Sequence, residues 1–226
     1  MSLSHDVIVI GGGVTGAGVA RDCAMRGLRT LLLEKNAPGM ATTASSTHLI
    51  HGGLRYLLYD RLTTHTTCWD CGHIVRIAAP LLTRLPILWP VYRGHSHGLE
   101  TVEALLEVYD GFQRMKGGKP HLRLSATETL KLVPGLRREG LLGALAFDEW
   151  WVDPVALVEE NLASARRYGA EVRPSSPVTG FLRSIGRIDG VLCSGRELRA
   201  SVVINAAGPW VDRVASLAGA RIPLRL

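Results

Sequence analysis

An apolar run that ends in Gly11-x-Gly13-x-x-Gly16 and is followed by a second apolar run closing on Glu34 constrains this chain more than any other feature. Residues 6–35 read DVIVIGGGVTGAGVARDCAMRGLRTLLLEK. The two apolar runs predict strands, and the segment between them predicts a helix that begins near residue 14, so the stretch is a β-α-β unit. Gly11 has no Cβ and can turn the chain out of the first strand. Gly13 lets backbone approach a pyrophosphate, and Gly16 lets the helix lie close on the strands. The free N–H groups of Val14 and Thr15 at the helix start then face an anion. Glu34, next to Lys35, lies at the spacing where a carboxylate reaches ribose hydroxyls, and it would repel a 2′-phosphate. The pattern predicts an adenine dinucleotide, argues against NADP, and leaves NAD and FAD open. The competing reading is a ligand-free glycine turn, which does not explain the acidic end.

A chain of 226 residues, 46% hydrophobic, can bury a real core in one large or two small domains. Its formal charge is +6, but the Lys and Arg residues are scattered, so a nucleic-acid partner is not predicted. The mild positive balance suits an anionic substrate or an anionic membrane surface. No signal peptide precedes the first predicted strand, and the apolar stretch 79–92 is broken by Arg84, Pro80, Pro86 and Pro90. The expectation is a cytoplasmic protein, with a peripheral position on the inner face of the membrane permitted. Cys23, Cys68, Cys71 and Cys193 read as free thiols. Cys68-x-x-Cys71 is a lone pair on a predicted helix, so packed thiols are favoured over a redox or metal site, and no metal is predicted.

Further along, residues 36–53 are rich in Gly, Ser, Thr and Ala and predict a close-packed loop. Residues 57–78 and 99–115 predict helices, with an extended proline-bearing segment at 81–92. Ser125 with Glu128 predicts a capping box, and Asp153-Pro154 predicts the start of a helix running to residue 168. Residues 178–200 predict an antiparallel meander, residues 201–205 a buried strand, and residues 209–218 a last helix. The division expected is 1–75 for the first segment of the nucleotide domain, 76–150 for an inserted domain, and 151–226 for the second nucleotide segment.

Three constellations follow the fingerprint. In the first, residues 45–56 read SSTHLIHGGLRY, with Gly52-Gly53 open to a flat ligand and His51, Arg55 and Tyr56 supplying an imidazole, a fixed cation and a phenol. A glycine turn with Arg55 on the surface is the equal alternative. The second, NAAGPW at 205–210, is a strand-to-helix turn whose backbone could touch a cofactor, or an ordinary helix start. In the third, FDEWWVDP at 147–154, the acids Asp148, Glu149 and Asp153 are expected to cap the following helix and the tryptophans to pack between domains.

These segments together, DVIVIGGGVTGAGVARDCAMRGL, STHLIHGGLRYL, LLTRLPILWPVYRG, LSATETLKLVPGL, WVDPVALVEENLASARRYGAEV and VVINAAGPWVD, closely resemble FAD-dependent glycerol-3-phosphate dehydrogenases, within the D-amino-acid-oxidase-like flavoprotein superfamily. The resemblance implies an α/β fold: a Rossmann-like FAD-binding domain of the glutathione-reductase-like kind, with an inserted, incomplete α+β substrate domain. It implies FAD, held at its pyrophosphate by Gly11, Gly13 and Gly16 with Val14 and Thr15, and at its ribose by Glu34 with Lys35. Thr43, Ser45, Ser46 and Thr47 would lie along the pyrophosphate and ribityl chain. His51, Gly52 and Gly53 would sit at the isoalloxazine, Val178 at the adenine, and Ala206, Ala207 and Gly208 near the cofactor. Arg55 and Tyr56 would face the substrate. The implied reaction oxidises sn-glycerol 3-phosphate to dihydroxyacetone phosphate by hydride transfer to flavin N5, with electrons passed to a quinone or to partner subunits, and a homo-oligomer is open. His51 is the candidate base, because imidazole titrates near neutrality. Two departures stand out: His48 takes the place of the family's usual Lys, and the sequence ends at Leu226, short of the family length. Related flavin oxidases acting on amines or other hydroxy acids, and a non-catalytic flavin-binding fragment, are the alternatives.

Overall fold

The structure, a computed structural model, describes residues 5–223. It divides into two compact units, Met1–Thr47 with Asp153–Leu226, and His48–Val152. Along the chain, β1 (His5–Ile10), α1 (Val14–Met25) and β2 (Thr30–Leu33) open the first unit. The second unit holds β3 (Leu49–Ile50), α2 (Arg61–Ile77), β4 (Leu82–Tyr92), α3 (Leu99–Gln113), β5 (Leu122–Ser125), α4 (Ala126–Leu132) and β6 (Leu141–Val152). The chain returns to the first unit through α5 (Pro154–Arg167), β7 (Glu171–Arg173), β8 (Val178–Ser184), β9 (Arg187–Cys193), β10 (Arg196–Asn205) and α6 (Val211–Leu217). The first boundary thus falls after Thr47 rather than at residue 75, because β3 pairs with β6 and α2 packs on the turn that follows α3.

The first unit is built on a six-stranded sheet in the order β7-β2-β1-β10-β9-β8. The four strands from β7 to β10 are parallel, and β10-β9-β8 form an antiparallel meander. Alternation along β1 sorts its side chains onto two faces. Val7 and Val9 pack with Ala17 and Ala20 of α1 and Val158 and Leu162 of α5, while Ile8 and Ile10 pack with Leu31, Leu33, Val191 and Ala200. Ile10 is level with both Leu33 and Asn205, so three parallel strands end together. That shared carboxyl edge is where α/β sheets bind ligands.

Helix α5 begins as the sequence predicts: the Asp153 carboxylate accepts from Val155 N at 2.9 Å and Ala156 N at 3.1 Å, with Pro154 at the first turn. One sequence expectation changes here. Residues 196–205 form one strand, because the half at 196–199 pairs with β9 and the half from Ala200 pairs with β1. The change of partner gives the two halves different patterns.

In the second unit β6 is the hub, flanked by β3 and β5 on one side and β4 on the other. Strand β4 pairs only with β6, which leaves an edge that tolerates Pro86 and Pro90. Leu99, Val102, Leu106, Tyr109 and Gln113 form the buried stripe of α3, packed with Val91, Leu145 and Phe147. Ser125 and Glu128 make the predicted capping box at α4. Asp148 and Glu149 do not cap α5. They sit inside β6, where Asp148 pairs with Arg84 at 2.8 Å and Glu149 pairs with the buried Lys116. Trp150 donates its indole N–H to Lys116 O at 2.8 Å. No described helix is long and apolar enough to cross a membrane.

Candidate functional site

At the carboxyl edge of the first unit, a cleft of about 310 Å³ is lined by Gly11, Gly13, Val14, Thr15, Glu34, Lys35, Thr43, Val178, Ala206, Ala207 and Gly208, among others. Three of the fingerprint glycines are glycine for different reasons. Gly11 has φ +106°, and a Cβ there would lie 2.5 Å from Ala206 O. A Cβ on Gly16 would lie 1.9 Å from Gly11 O, so this residue, below the cleft, seats α1 on β1. Gly13 is different: its φ is −73°, and the nearest atom to a Cβ would be Thr43 Oγ1 at 3.4 Å. Protein packing does not demand glycine at Gly13, whereas a ligand pressed on the backbone would.

The amide of Val14, at the N-terminus of α1, donates to Thr43 Oγ1 at 3.2 Å. Thr43 therefore stands where an anion would meet the helix dipole. Glu34, half-buried at the end of β2, accepts from Gly12 N at 2.6 Å and from Asn36 N at 2.8 Å, one on each oxygen. Each oxygen keeps a lone pair for a further donor, as a ribose diol would be. The two ends of the β-α-β unit are thus tied by the Gly12 amide.

Opposite, Ala206 N donates to Ile10 O at 2.8 Å, and the side chain of Asn205 accepts from Ala207 N at 3.2 Å while donating to Val211 O at 2.8 Å. Asn205 ties the 206–208 turn to the start of α6. The sequence signal for this was an Asn directly before a glycine-containing turn. Lys35 Nζ sits 3.5 Å from the centre of the Trp210 ring, and both residues line the cleft. Sequence reasoning also missed Met40, Ser176 and Pro177 on its wall. Ser45, Ser46 and Thr47 belong to the loop after Thr43 and do not line it.

His51, Gly52, Gly53, Arg55 and Tyr56 lie in the second unit. Gly52 and Gly53 are buried, and Gly53 is left-handed with φ +73°. A Cβ on Gly52 would lie 2.3 Å from Tyr109 Oη and 2.5 Å from Cys68 Sγ, so packing against the protein requires this glycine. The turn is anchored throughout. Gly52 N donates to Glu149 Oε2 at 3.2 Å, and Gly52 O accepts from Thr67 Oγ1 at 2.8 Å and from Cys68 Sγ at 3.3 Å. His51 is exposed, and its Nδ1 accepts the Gly53 N–H at 3.1 Å. A neutral His51 in this arrangement carries its proton on Nε2. In that tautomer Nε2 is a donor and the lone pair of Nδ1 is taken by the Gly53 amide. Arg55 is exposed, and Tyr56 is half-buried with its ring 5.7 Å from Arg55 Cζ.

Residues 6–226 match the family described as FAD dependent oxidoreductase, DAO. The chain belongs to this FAD-dependent oxidoreductase family. It is 34% identical over 218 residues to an aerobic glycerol-3-phosphate dehydrogenase of Staphylococcus haemolyticus, and 35% identical over 225 residues to an alpha-glycerophosphate oxidase of Enterococcus casseliflavus. These alignments cover 93% and 95% of this chain, but only 39% and 37% of the relatives. The structure of the glycerol-3-phosphate dehydrogenase from Bacillus halodurans complexed with FAD superposes with a TM-score of 0.71 at 29% identity, covering 94% of this chain and 36% of that one. FAD is the cofactor of the family, which closes the choice that the fingerprint left between NAD and FAD. The cleft passes the test this sets: a glycine with no packing reason beside a helix N-terminus, and a carboxylate with lone pairs to spare.

The two thiols of α2 are structural by the same geometry. Cys68 and Cys71 are buried, and burial pushes them up to about 11 and about 12. Both stay protonated at neutral pH, so iodoacetamide should leave them unlabelled in the native chain, as read by peptide mass spectrometry. Above the ordinary value of 9.0, the unfolded thiols ionise while the folded ones do not. Stability should therefore fall as pH rises from 9 toward 11, measured as a falling urea midpoint. A flat midpoint over that range would count against the burial argument.

Proposed function

We propose that this chain is the cofactor-binding portion of an enzyme that oxidises sn-glycerol 3-phosphate to dihydroxyacetone phosphate. The observation that carries the cofactor half is the cleft at Gly13 and Glu34, and the names of the relatives support the substrate half. In this reading Gly11, Gly13, Val14 and Thr15 hold the pyrophosphate with Thr43, and Glu34 takes the ribose hydroxyls. Gly16 seats the helix, Lys35 closes the rim with Trp210, and Val178 with Ala206, Ala207 and Gly208 forms the remaining wall. Ser45, Ser46 and Thr47 would meet the ribityl portion, and His51, Gly52 and Gly53 of the second unit would meet the flavin ring. FAD held by these residues would supply a two-electron acceptor for the hydride on the substrate C2. The exposed Arg55 holds the substrate phosphate as a fixed cation, and Tyr56 beside it orients that guanidinium. His51 would donate Nε2–H to a substrate oxygen. A quinone or an electron-transfer subunit then receives the electrons, at a peripheral membrane contact.

The test is an anaerobic titration of the FAD-reconstituted protein with glycerol 3-phosphate, followed by visible absorbance. Yellow flavin that bleaches on addition is the expected result. Protein that takes up no FAD would remove the cofactor assignment. Flavin that is bleached by an amine or another hydroxy acid instead would move the chain to a related flavin oxidase, and flavin that no substrate reduces would leave a binding portion without catalysis.

A further inference from the structure

The most unusual group in the second unit is a lysine with no solvent exposure at all. The Lys116 side chain is 0% exposed, and its partner Glu149 is 5% exposed. Burying two charges is costly, and an apolar pair of similar volume is often as stable or more so. The pair therefore invites a role besides stability. Its hydrogen bonds show where that role lies. Lys116 Nζ also donates to Asp148 O at 2.9 Å. Glu149 Oε1 accepts from Tyr109 Oη at 2.9 Å, and Oε2, besides Lys116, accepts the Gly52 amide at 3.2 Å. The next amide, Gly53 N, is the one that donates to His51 Nδ1. Carboxylate and imidazole are thus joined through the glycine turn, by one hydrogen bond at each end and the Gly52–Gly53 peptide between them.

We propose that Lys116, Glu149 and Tyr109 are positioning residues that fix the 51–53 turn, and through it keep the proton of His51 on Nε2. Lys116 holds the Glu149 carboxylate in place. Glu149 holds the Gly52 amide. The turn so fixed aims the Gly53 N–H at His51 Nδ1, and Nε2–H becomes the donor of the ring. The placement of His51 at the flavin rests on the function proposed above, whereas the mechanical link does not.

Two double variants separate positioning from folding. Lys116→Met with Glu149→Gln removes both charges but keeps an acceptor for Gly52, and its amide group can donate to the Tyr109 hydroxyl. Lys116→Met with Glu149→Leu removes the acceptor as well. Amide exchange at Gly52 and Gly53, resolved by nuclear magnetic resonance in the full chain, should stay slow in the glutamine variant and quicken by roughly tenfold in the leucine variant. The nitrogen–nitrogen coupling across the Gly53–His51 bond should persist in the first and vanish in the second. With FAD bound, the visible circular dichroism of the flavin should change only in the leucine variant. Equal exchange in two folded variants would overturn the proposal, and so would a Gly53–His51 coupling that persists in both; lost protection with an unchanged flavin spectrum would speak against the placement of His51 at the flavin, which belongs to the proposed function. Should the leucine variant fail to fold, Tyr109→Phe keeps the ring, removes one donor to Glu149, and should show the same changes in smaller measure; none at all would sink the idea. A wild-type chain that binds no FAD speaks against the proposed function alone, since the exchange and coupling readouts need no flavin.

Discussion

Gly16→Ala is expected to lose FAD binding by roughly a hundredfold, equivalent to about 2.7 kcal/mol, and to be destabilised in addition by about 1–3 kcal/mol. The new Cβ would stand 1.9 Å from Gly11 O, which is backbone and cannot swing aside. Relief requires α1 to lift from β1, and the helix N-terminus that bounds the cleft moves with it. Gly18→Ala is the control on the same helix. Nothing lies within 4 Å of a Cβ there, so helix propensity alone applies and the change should stabilise by roughly 0.5–1 kcal/mol. Urea denaturation and FAD titration by fluorescence quenching read both quantities. Wild-type affinity in the Gly16 variant would show that the close approach of helix and strand is not needed for the cofactor.

The second large effect concerns the buried pair. Glu149→Ala leaves the Lys116 ammonium fully enclosed without a counter-charge and strips Gly52 N and the Tyr109 hydroxyl of their acceptor. A cost of about 3–5 kcal/mol follows, enough to unfold a marginal domain near body temperature. Adding Lys116→Met to that variant should recover a substantial part of the loss, because the orphaned charge goes with the lysine. The double-mutant cycle in urea gives the coupling directly. Strictly additive losses would mean that the two charges do not need one another.

How far this architecture could be read in advance depends on the range of the interactions involved. The β-α-β unit, the capping box at Ser125 and the Asp153-Pro154 helix start are local signals, and each lies where its pattern placed it. The extended segment at 81–92 was also legible, and its place as an edge strand beside β6 is one that Pro86 and Pro90 permit. Strand β6 was not legible. Asp148 and Glu149 in its middle look like surface or capping acids until Arg84 and Lys116, 64 and 33 residues away, arrive to neutralise them. The Gly52-Gly53 pair looked made for a ligand, but Tyr109 and Cys68 already account for Gly52. Conversely, Gly13 gave no hint that it alone among these glycines lacks a packing reason. Nor could spacing show that the Gly53 amide takes His51 Nδ1.

The lysine stacked on Trp210 gives the cleft an optical property of its own. Of the five tryptophans in the sequence, Trp69, Trp89, Trp150 and Trp151 fall in the second unit, and Trp210 is the single indole of the first. With those four replaced by phenylalanine, tryptophan emission excited beyond the tyrosine band would report from the wall of the cleft and from nowhere else. The ammonium 3.5 Å above that ring makes the signal sensitive to any anion that draws Lys35 away. The protein thus carries a built-in fluorophore for nucleotide arrival, readable in stopped flow without a label and before any electron moves.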